Sequence, residues 1–214
     1  TVELAKERGR CKDSDKTWYG RGIFPWERRA TGVNELTDFT PSLDWEGLRE
    51  RLKQYGIRNA TLMAVMPAET SALISNATNG IEPPRGLISI KQSKDGVLKQ
   101  VVPNIKRLKN KYELLWDQKS PEGYLKICAV LQKYIDQAIS VNTSYNPQFY
   151  PDEKVPMSDM LRHTLMHYKY GGKTLYYFNT YDGQGEVDVD KLNSKEPVQE
   201  LAPIDEADCE SCVI

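Results

Sequence analysis

"VPMSDMLRHTLMHYKYGGKTLYYFNT", Val155–Thr180, is the stretch that decides the fold. Its first part, Val155–Gly172, reads as a capped helix stopped by two glycines. The helix feeds directly into "KTLYYFNT", Lys173–Thr180, a short aromatic-rich run that reads as a strand. In a strand, consecutive side chains point to opposite faces. The adjacent tyrosines Tyr176 and Tyr177 therefore pose a question. Either one ring is core and the other surface, or the pair passes an electron.

Working outward, the chain mixes helices with a few short strands. "SLDWEGLRERLKQYG", Ser42–Gly56, is expected to be a helix capped by Ser42, with Trp45, Leu48 and Leu52 on one face. "ATLMAVMP", Ala60–Pro67, is a short apolar run closed by proline and reads as a buried strand, with a helix starting within Ala68–Ser71. Leu87–Pro103 alternates around Lys94-Asp95-Gly96 and should form a hairpin. "NIKRLKNKYELLWDQ", Asn104–Gln118, reads as helical. "EGYLKICAVLQKYIDQAIS", Glu122–Ser140, reads as a long amphipathic helix burying Ile127, Cys128, Leu131, Ile135 and Ile139. Residues 1–40 look loop-rich, with Trp18, Tyr19, Phe24 and Trp26 scattered among Gly, Arg and Pro. So few strands cannot close a sheet, which points to a part of something larger.

The chain has 214 residues and a net charge of −1. Between Glu186 and Glu210 lie nine acidic and two basic residues, a local net of −7, so the rest carries +6. A basic body suits a phosphorylated small molecule. There is no basic helix or aromatic–basic alternation for a nucleic-acid polymer, and no apolar run of the ~20 residues that span a bilayer. Four cysteines without a disulfide framework suit a cytoplasmic chain. The terminal "SCVI" does not fit prenylation. The opening "TVELAKERGRCK" lacks an initiator Met and a signal-peptide core, and suggests a start inside a longer protein or a processed product.

Three constellations could carry chemistry. At "PAETS", Pro67–Ser71, a strand ends and a helix begins, so free N–H groups and the hydroxyls of Thr70 and Ser71 could meet a phosphate; an ordinary helix start would look the same. His163 and His167 have zinc-chelating spacing, but no third ligand is apparent, and they read as partly exposed helix residues; no metal site is expected. Cys209 and Cys212 form a C-x-x-C at the end of the acidic tail. About 25 residues of flexible coil would reach ~25–30 Å r.m.s. and ~85 Å extended, so this dithiol could enter a buried site and swing out to a reductase. Asp208 and Glu210 disfavour its thiolate. Cys128 reads as plain core.

Taken together, "LAKERG" (Leu4–Gly9), "PAETSA" (Pro67–Ala72), "SNATNGIEPPRG" (Ser75–Gly86), "KTLYYFNT" and the terminal cysteine pair resemble the C-terminal portion of the large, catalytic subunit of class Ia ribonucleotide reductases. The resemblance implies an α/β fold: the C-terminal part of a ten-stranded α/β barrel over 1–184, then a flexible tail over 185–214. It implies that Pro67, Ala68, Glu69, Thr70 and Ser71 hold the substrate diphosphate, with Ala68 where the family often has Ser. It implies that Tyr176 and Tyr177 relay a radical, and that Cys209 and Cys212 re-reduce the active-site disulfide. Many members separate those cysteines by four residues; here there are two. Implied partners are the N-terminal part of the large subunit, a second large subunit, the small radical-generating subunit, thioredoxin or glutaredoxin, and a ribonucleoside diphosphate. This chain would bind no cofactor itself; the metal centre and radical, first of all a di-iron tyrosyl centre, belong to the small subunit. The helix Met157–Tyr170 would help form the small subunit's docking groove. The family's radical-bearing cysteine has no counterpart here, so the chain would be inactive alone. The alternative is a non-catalytic assembly module binding the small subunit or thioredoxin. A relay needs the two rings stacked in contact and held away from water, and a regular strand would separate them. A local twist or strand end is therefore expected at Tyr176–Tyr177.

Overall fold

The computed structural model describes residues 1–28, 32–37, 42–66, 68–93 and 96–183, with residues 69–70, 91–93 and 96–98 described by backbone only. Pro67, Cys209 and Cys212 lie outside the described residues. The N-terminal part holds α1 (Val2–Arg8) and α2 (Trp45–Tyr55). They pack around Phe24 and Ile57, both fully buried. Phe24 stacks on Trp26 at 5.1 Å and meets Trp45 edge-on at 5.1 Å. Of the scattered aromatics of the first forty residues, Tyr19, Phe24 and Trp26 thus join a second core, while Trp18 is exposed. Arg49 lies over the Phe24 ring at 4.6 Å and pairs with Glu27 at 2.6 Å and Glu46 at 3.1 Å, tying α2 to the loop below it. The α2 cap is Asp44 rather than Ser42: its carboxylate accepts the Gly47 N–H at 2.9 Å.

The apolar run at 60–66 is not a strand, and Leu62, Met63 and Met66 are exposed, which corrects the buried-strand expectation. A strand exists only through a partner strand, and no described strand pairs with it. Its few links are the Leu62 N–H to Asp136 at 2.8 Å and the Met63 carbonyl to the Gln137 N–H at 3.2 Å. Helix α3 (Glu69–Ile74) follows, starting where expected. The hairpin β1 (Ile88–Ser93) and β2 (Gly96–Val101) is antiparallel, with Ile88 opposite Val101. The expected helix at 104–118 breaks into α4 (Ile105–Leu108) and two 3-10 turns at Lys109–Lys111 and Leu115–Asp117. Four cations between Lys106 and Lys111 crowd successive turns without an acidic partner among them, and like charges at helical spacing repel.

Helix α5 (Glu122–Tyr134) stops earlier than its apolar period suggests. The buried Gln132 amide donates to the Ile135 and Gln137 carbonyls at 3.0 and 2.8 Å and accepts the Ile139 N–H at 2.8 Å. That side chain supplies the partners a further turn would have supplied, so the chain bends away while Ile135 and Ile139 stay buried. The inner face is Tyr124, Leu125, Cys128 and Ala129; Ile127 is 56% exposed and Leu131 37%, against expectation. Strand β3 (Val141–Tyr145) comes next, then α6 (Met157–Lys169) and β4 (Leu175–Thr180), which pairs in parallel with β3. The fold is thus mixed α/β. Among the described residues the strands form two two-stranded sheets and no closed barrel. No described helix is long and apolar enough to cross a membrane.

Helix α6 faces inward with its histidines. His163 and His167 are buried, not partly exposed as their sequence context suggested. His163 Nδ1 lies 3.1 Å from the Tyr145 hydroxyl, and its Nε2 lies 3.4 Å from Ser120 Oγ and 3.6 Å from Glu122. Burial pushes both imidazoles below their ordinary pKa. Arg162 pairs with Glu122, holding that carboxyl below its usual range and joining α6 to α5. Gly172 closes the helix against His167: a Cβ there would stand 2.0 Å from His167 Nε2.

Two outcomes follow from this packing. Gly172→Ala must displace the His167 ring and should destabilise the chain by about 1–3 kcal/mol, read as a lowered urea midpoint. The folded state refuses protons that the unfolded histidines accept below about pH 6.5, so stability holds above that pH and falls as pH drops below it. Urea midpoints at pH 7.5 and 5.5 measure the loss; equal midpoints would show that the histidines do not titrate on unfolding.

Candidate functional site

A cavity of about 540 Å³ opens between the loop 77–86, the hairpin and the β3–β4 sheet. Tyr124 and Ile139 of the core form its buried floor. Met66, Glu82, Trp116, Asn142, Tyr176 and Tyr177 are among its lining residues.

The tyrosine pair sits at an irregularity. Val141 is opposite Leu175, but Thr143 is opposite Phe178, so Asn142 alone faces both Tyr176 and Tyr177. This is a β-bulge with its extra residue on β4. It turns the two rings toward one another instead of to opposite faces. Their centroids are 4.1 Å apart with planes at 55°, and the Tyr177 hydroxyl donates to the Tyr176 oxygen at 3.3 Å. The local irregularity expected from the sequence is present. In this chain the pair is also open: Tyr176 is 59% exposed and Tyr177 51%.

The segment expected to hold a phosphate begins α3 beside the cavity. Ala68 is the N-cap, without a side-chain cap, and its carbonyl accepts the Ala72 N–H at 2.7 Å. Glu69 and Thr70 are placed by backbone alone, and Ser71 is exposed. Of the described side chains in this segment, Ala68 and Ser71 flank the cavity without lining it, while Met66 before them and Ala77 and Thr78 after them do line it. Among the described residues, no three His, Cys, Asp or Glu side chains come together as a metal would require. Sequence reasoning missed β3 and Asn142. A five-residue strand alternating buried and half-buried residues carries little signal beside a long helix, and no motif marks Asn142. Glu82 lay within a quoted motif but had no role there.

The family model for the ribonucleotide reductase barrel domain matches residues 1–178. The chain belongs to that family. It is 54% identical over 189 residues to the ribonucleoside-diphosphate reductase subunit alpha of Buchnera aphidicola subsp. Baizongia pistaciae, covering 88% of this chain and 25% of that protein. Against the Escherichia coli ribonucleoside-diphosphate reductase 1 subunit alpha it is 50% identical over 192 residues, 90% of this chain and 25% of the relative. The enterobacteria phage T4 subunit alpha is 42% identical over 192 residues, 89% and 26% respectively. The chain thus spans about a quarter of the length of these curated relatives. Among the described residues, this barrel-domain chain shows two two-stranded sheets, and the apolar run at 60–66 belongs to neither.

Proposed function

We propose that this chain is the C-terminal portion of the large, catalytic subunit of a cytoplasmic class Ia ribonucleoside-diphosphate reductase, which makes deoxyribonucleoside diphosphates for DNA synthesis. The observation that carries this reading is the bulge-held tyrosine pair facing a cavity, in a chain half identical to reductase alpha subunits. In this reading residues 1–184 complete a ten-stranded α/β barrel with the N-terminal part of the large subunit, which brings the catalytic cysteine. Residues 185–214 form a tail whose Cys209 and Cys212 deliver reducing equivalents taken from thioredoxin or glutaredoxin. The radical starts at the metal centre of the small subunit; this chain holds no cofactor.

The chemistry asked of the pair is limited. When one ring is a phenoxyl radical, its neighbour passes it one electron and one proton; the first becomes a phenol and the second the phenoxyl. Nothing is gained or lost overall, so the step runs in either direction. Contact at 4.1 Å and a hydroxyl–hydroxyl link suit the transfer. Water must be kept away, and the more than half-exposed rings require cover from the rest of the large subunit and from the small subunit. The N–H groups that open α3, with Thr70 and Ser71, hold the substrate diphosphate at the rim of the cavity. Ala68 contributes its N–H alone.

The outer face of α6 suits the small subunit. Met157, Leu161, Leu165 and Tyr168 recur at helical spacing and are 75, 57, 58 and 77% exposed. Such a stripe reads as one wall of an apolar groove for a peptide. A second large subunit completes the assembly as a dimer.

Two measurements test this reading, both on the chain assembled with the N-terminal part, the small subunit and a dithiol reductant. Tyr177→Phe should abolish reduction, by at least roughly 10²-fold, while leaving the dissociation constant for a ribonucleoside diphosphate unchanged. Near-normal turnover would reject the relay, and assembly without turnover by the unsubstituted chain would favour the non-catalytic module. Leu165→Glu should weaken small-subunit binding by about 2 kcal/mol, some 30-fold, with the fold intact by circular dichroism. Unchanged affinity would remove α6 from the interface.

A further inference from the structure

The bulge at Tyr176–Tyr177 has a cause outside the two tyrosines. Asn142 faces both, and its Oδ1 accepts the Tyr177 N–H at 3.1 Å. Its Nδ2 donates to Glu82 Oε1 at 2.6 Å. A backbone N–H only donates and a carboxylate only accepts, so the two partners together dictate which way the amide points. The Tyr177 N–H, displaced from regular ladder pairing by the bulge, finds its acceptor in this side chain. The acceptor is in turn anchored to Glu82, on the loop forming the opposite wall of the cavity. The chain of contacts therefore runs from the loop 77–86, through one amide, to the backbone that carries both phenols.

We propose that Asn142 is the positioning residue of the tyrosine pair: its bridge between Glu82 and the Tyr177 N–H holds the bulge open and sets the separation of the two rings. This rests on the pair being a relay. Few side chains could replace it. Aspartate offers the acceptor but meets Glu82 with a like charge. Serine is too short to span both partners, and alanine leaves the bulged N–H and the Glu82 carboxylate without their bond.

The aspartate case gives a signature that a merely structural residue would not. The groups facing position 142 are Glu82 from the loop, Tyr124 from α5 with Cys128 one turn further on, and Tyr177 from β4. Burial raises the Tyr124 phenol, and it pushes the Cys128 thiol up to about 11, so both stay neutral in the working range. In Asn142→Asp two carboxyls then lie within hydrogen-bond distance and share a proton, with one pKa raised. Below that raised pKa the protonated carboxyl restores the donor to its partner; above it the pair repels and the bridge opens.

The test uses the assembled enzyme with ribonucleoside diphosphate, small subunit and dithiol. Asn142→Ala should lower turnover by roughly 10²-fold, because sub-ångström misplacement of reacting groups is costly, with substrate affinity within about twofold of the unsubstituted enzyme. Its Tyr177 amide should exchange with deuterium at least about tenfold faster, since the acceptor is gone. Asn142→Asp should turn over poorly at pH 8.5 and recover toward the unsubstituted enzyme as pH falls, tracing uptake of one proton. Turnover of Asn142→Ala within about twofold of the unsubstituted enzyme overturns the proposal. So does an Asn142→Asp pH profile parallel to that of the unsubstituted enzyme, and this profile decides alone if the alanine variant does not fold. Tyr177→Phe, run beside them, separates the two failures. If it retains activity, the relay itself is wrong; if it is dead while Asn142→Ala is normal, only the positioning role is lost.

Discussion

A parallel pair of strands cannot be joined by a tight turn, and the β3–β4 pair imposes that constraint on everything around it. The chain leaving Tyr145 must travel the length of the sheet and return before β4 can begin. Helix α6 is that return path, and α5 lies beside it with Tyr124, Leu125 and Cys128 against Val141 and Leu175. The β3–α6–β4 unit therefore fixes where β4 starts, and with it the position of the tyrosines. His163 and His167 belong to this constraint. One reaches Tyr145 at the end of β3, and the other packs on Gly172 at the entry to β4, so the helix is pinned at both of its junctions with the sheet.

Helix α6 is oriented against the usual rule, with imidazoles inside and large apolar side chains outside. Burying each of four such side chains would contribute about 1.5–3 kcal/mol, so the stripe stores a favourable term that folding of this chain alone leaves unused. The same holds at 60–66, where Leu62, Met63 and Met66 remain exposed beside a backbone with few partners. Two exposed apolar surfaces of this kind are what interaction faces look like, in keeping with the assembly proposed above.

What the sequence revealed and what it hid follow from the range over which each interaction acts. Helix α2, the start of α3 and the hairpin were readable because caps, glycines and turn residues act within a few positions of themselves. Some misreadings were local, such as the α2 cap and the broken helix at 104–118; others involve partners that the helical period does not reveal. The run at 60–66 has strand composition, but composition cannot supply a neighbouring strand. The end of α5 depends on one buried glutamine, whose polar character disguised it as a surface residue. Ile127 and Leu131 fit the apolar period of α5, yet the sheet meets a face rotated from theirs, led by Tyr124, Leu125 and Cys128. The histidines of α6 gave the inverse error: polar residues four apart suggested a solvated face, and only Tyr145, Ser120 and Glu122, far away along the chain, make that face an interior one. At the site, the tyrosines were visible as a doublet and their irregular backbone could be inferred. Asn142, which meets that backbone from another strand, could not.

The doublet shows why the backbone, more than the rings, is the specialised element. Tyrosine is a common strand residue, and two in succession on a regular strand would point to opposite faces with the sheet between them. Only the one-against-two register brings the centroids to 4.1 Å. That register leaves the Tyr177 N–H to be satisfied, a demand met by the Asn142 amide. The exposure of the rings belongs to the chain by itself, whereas their contact is built into the sheet and does not need a partner to form. Under the proposed relay, electron exchange depends steeply on separation, so a preformed contact would let covering protein exclude water without also having to assemble the pair.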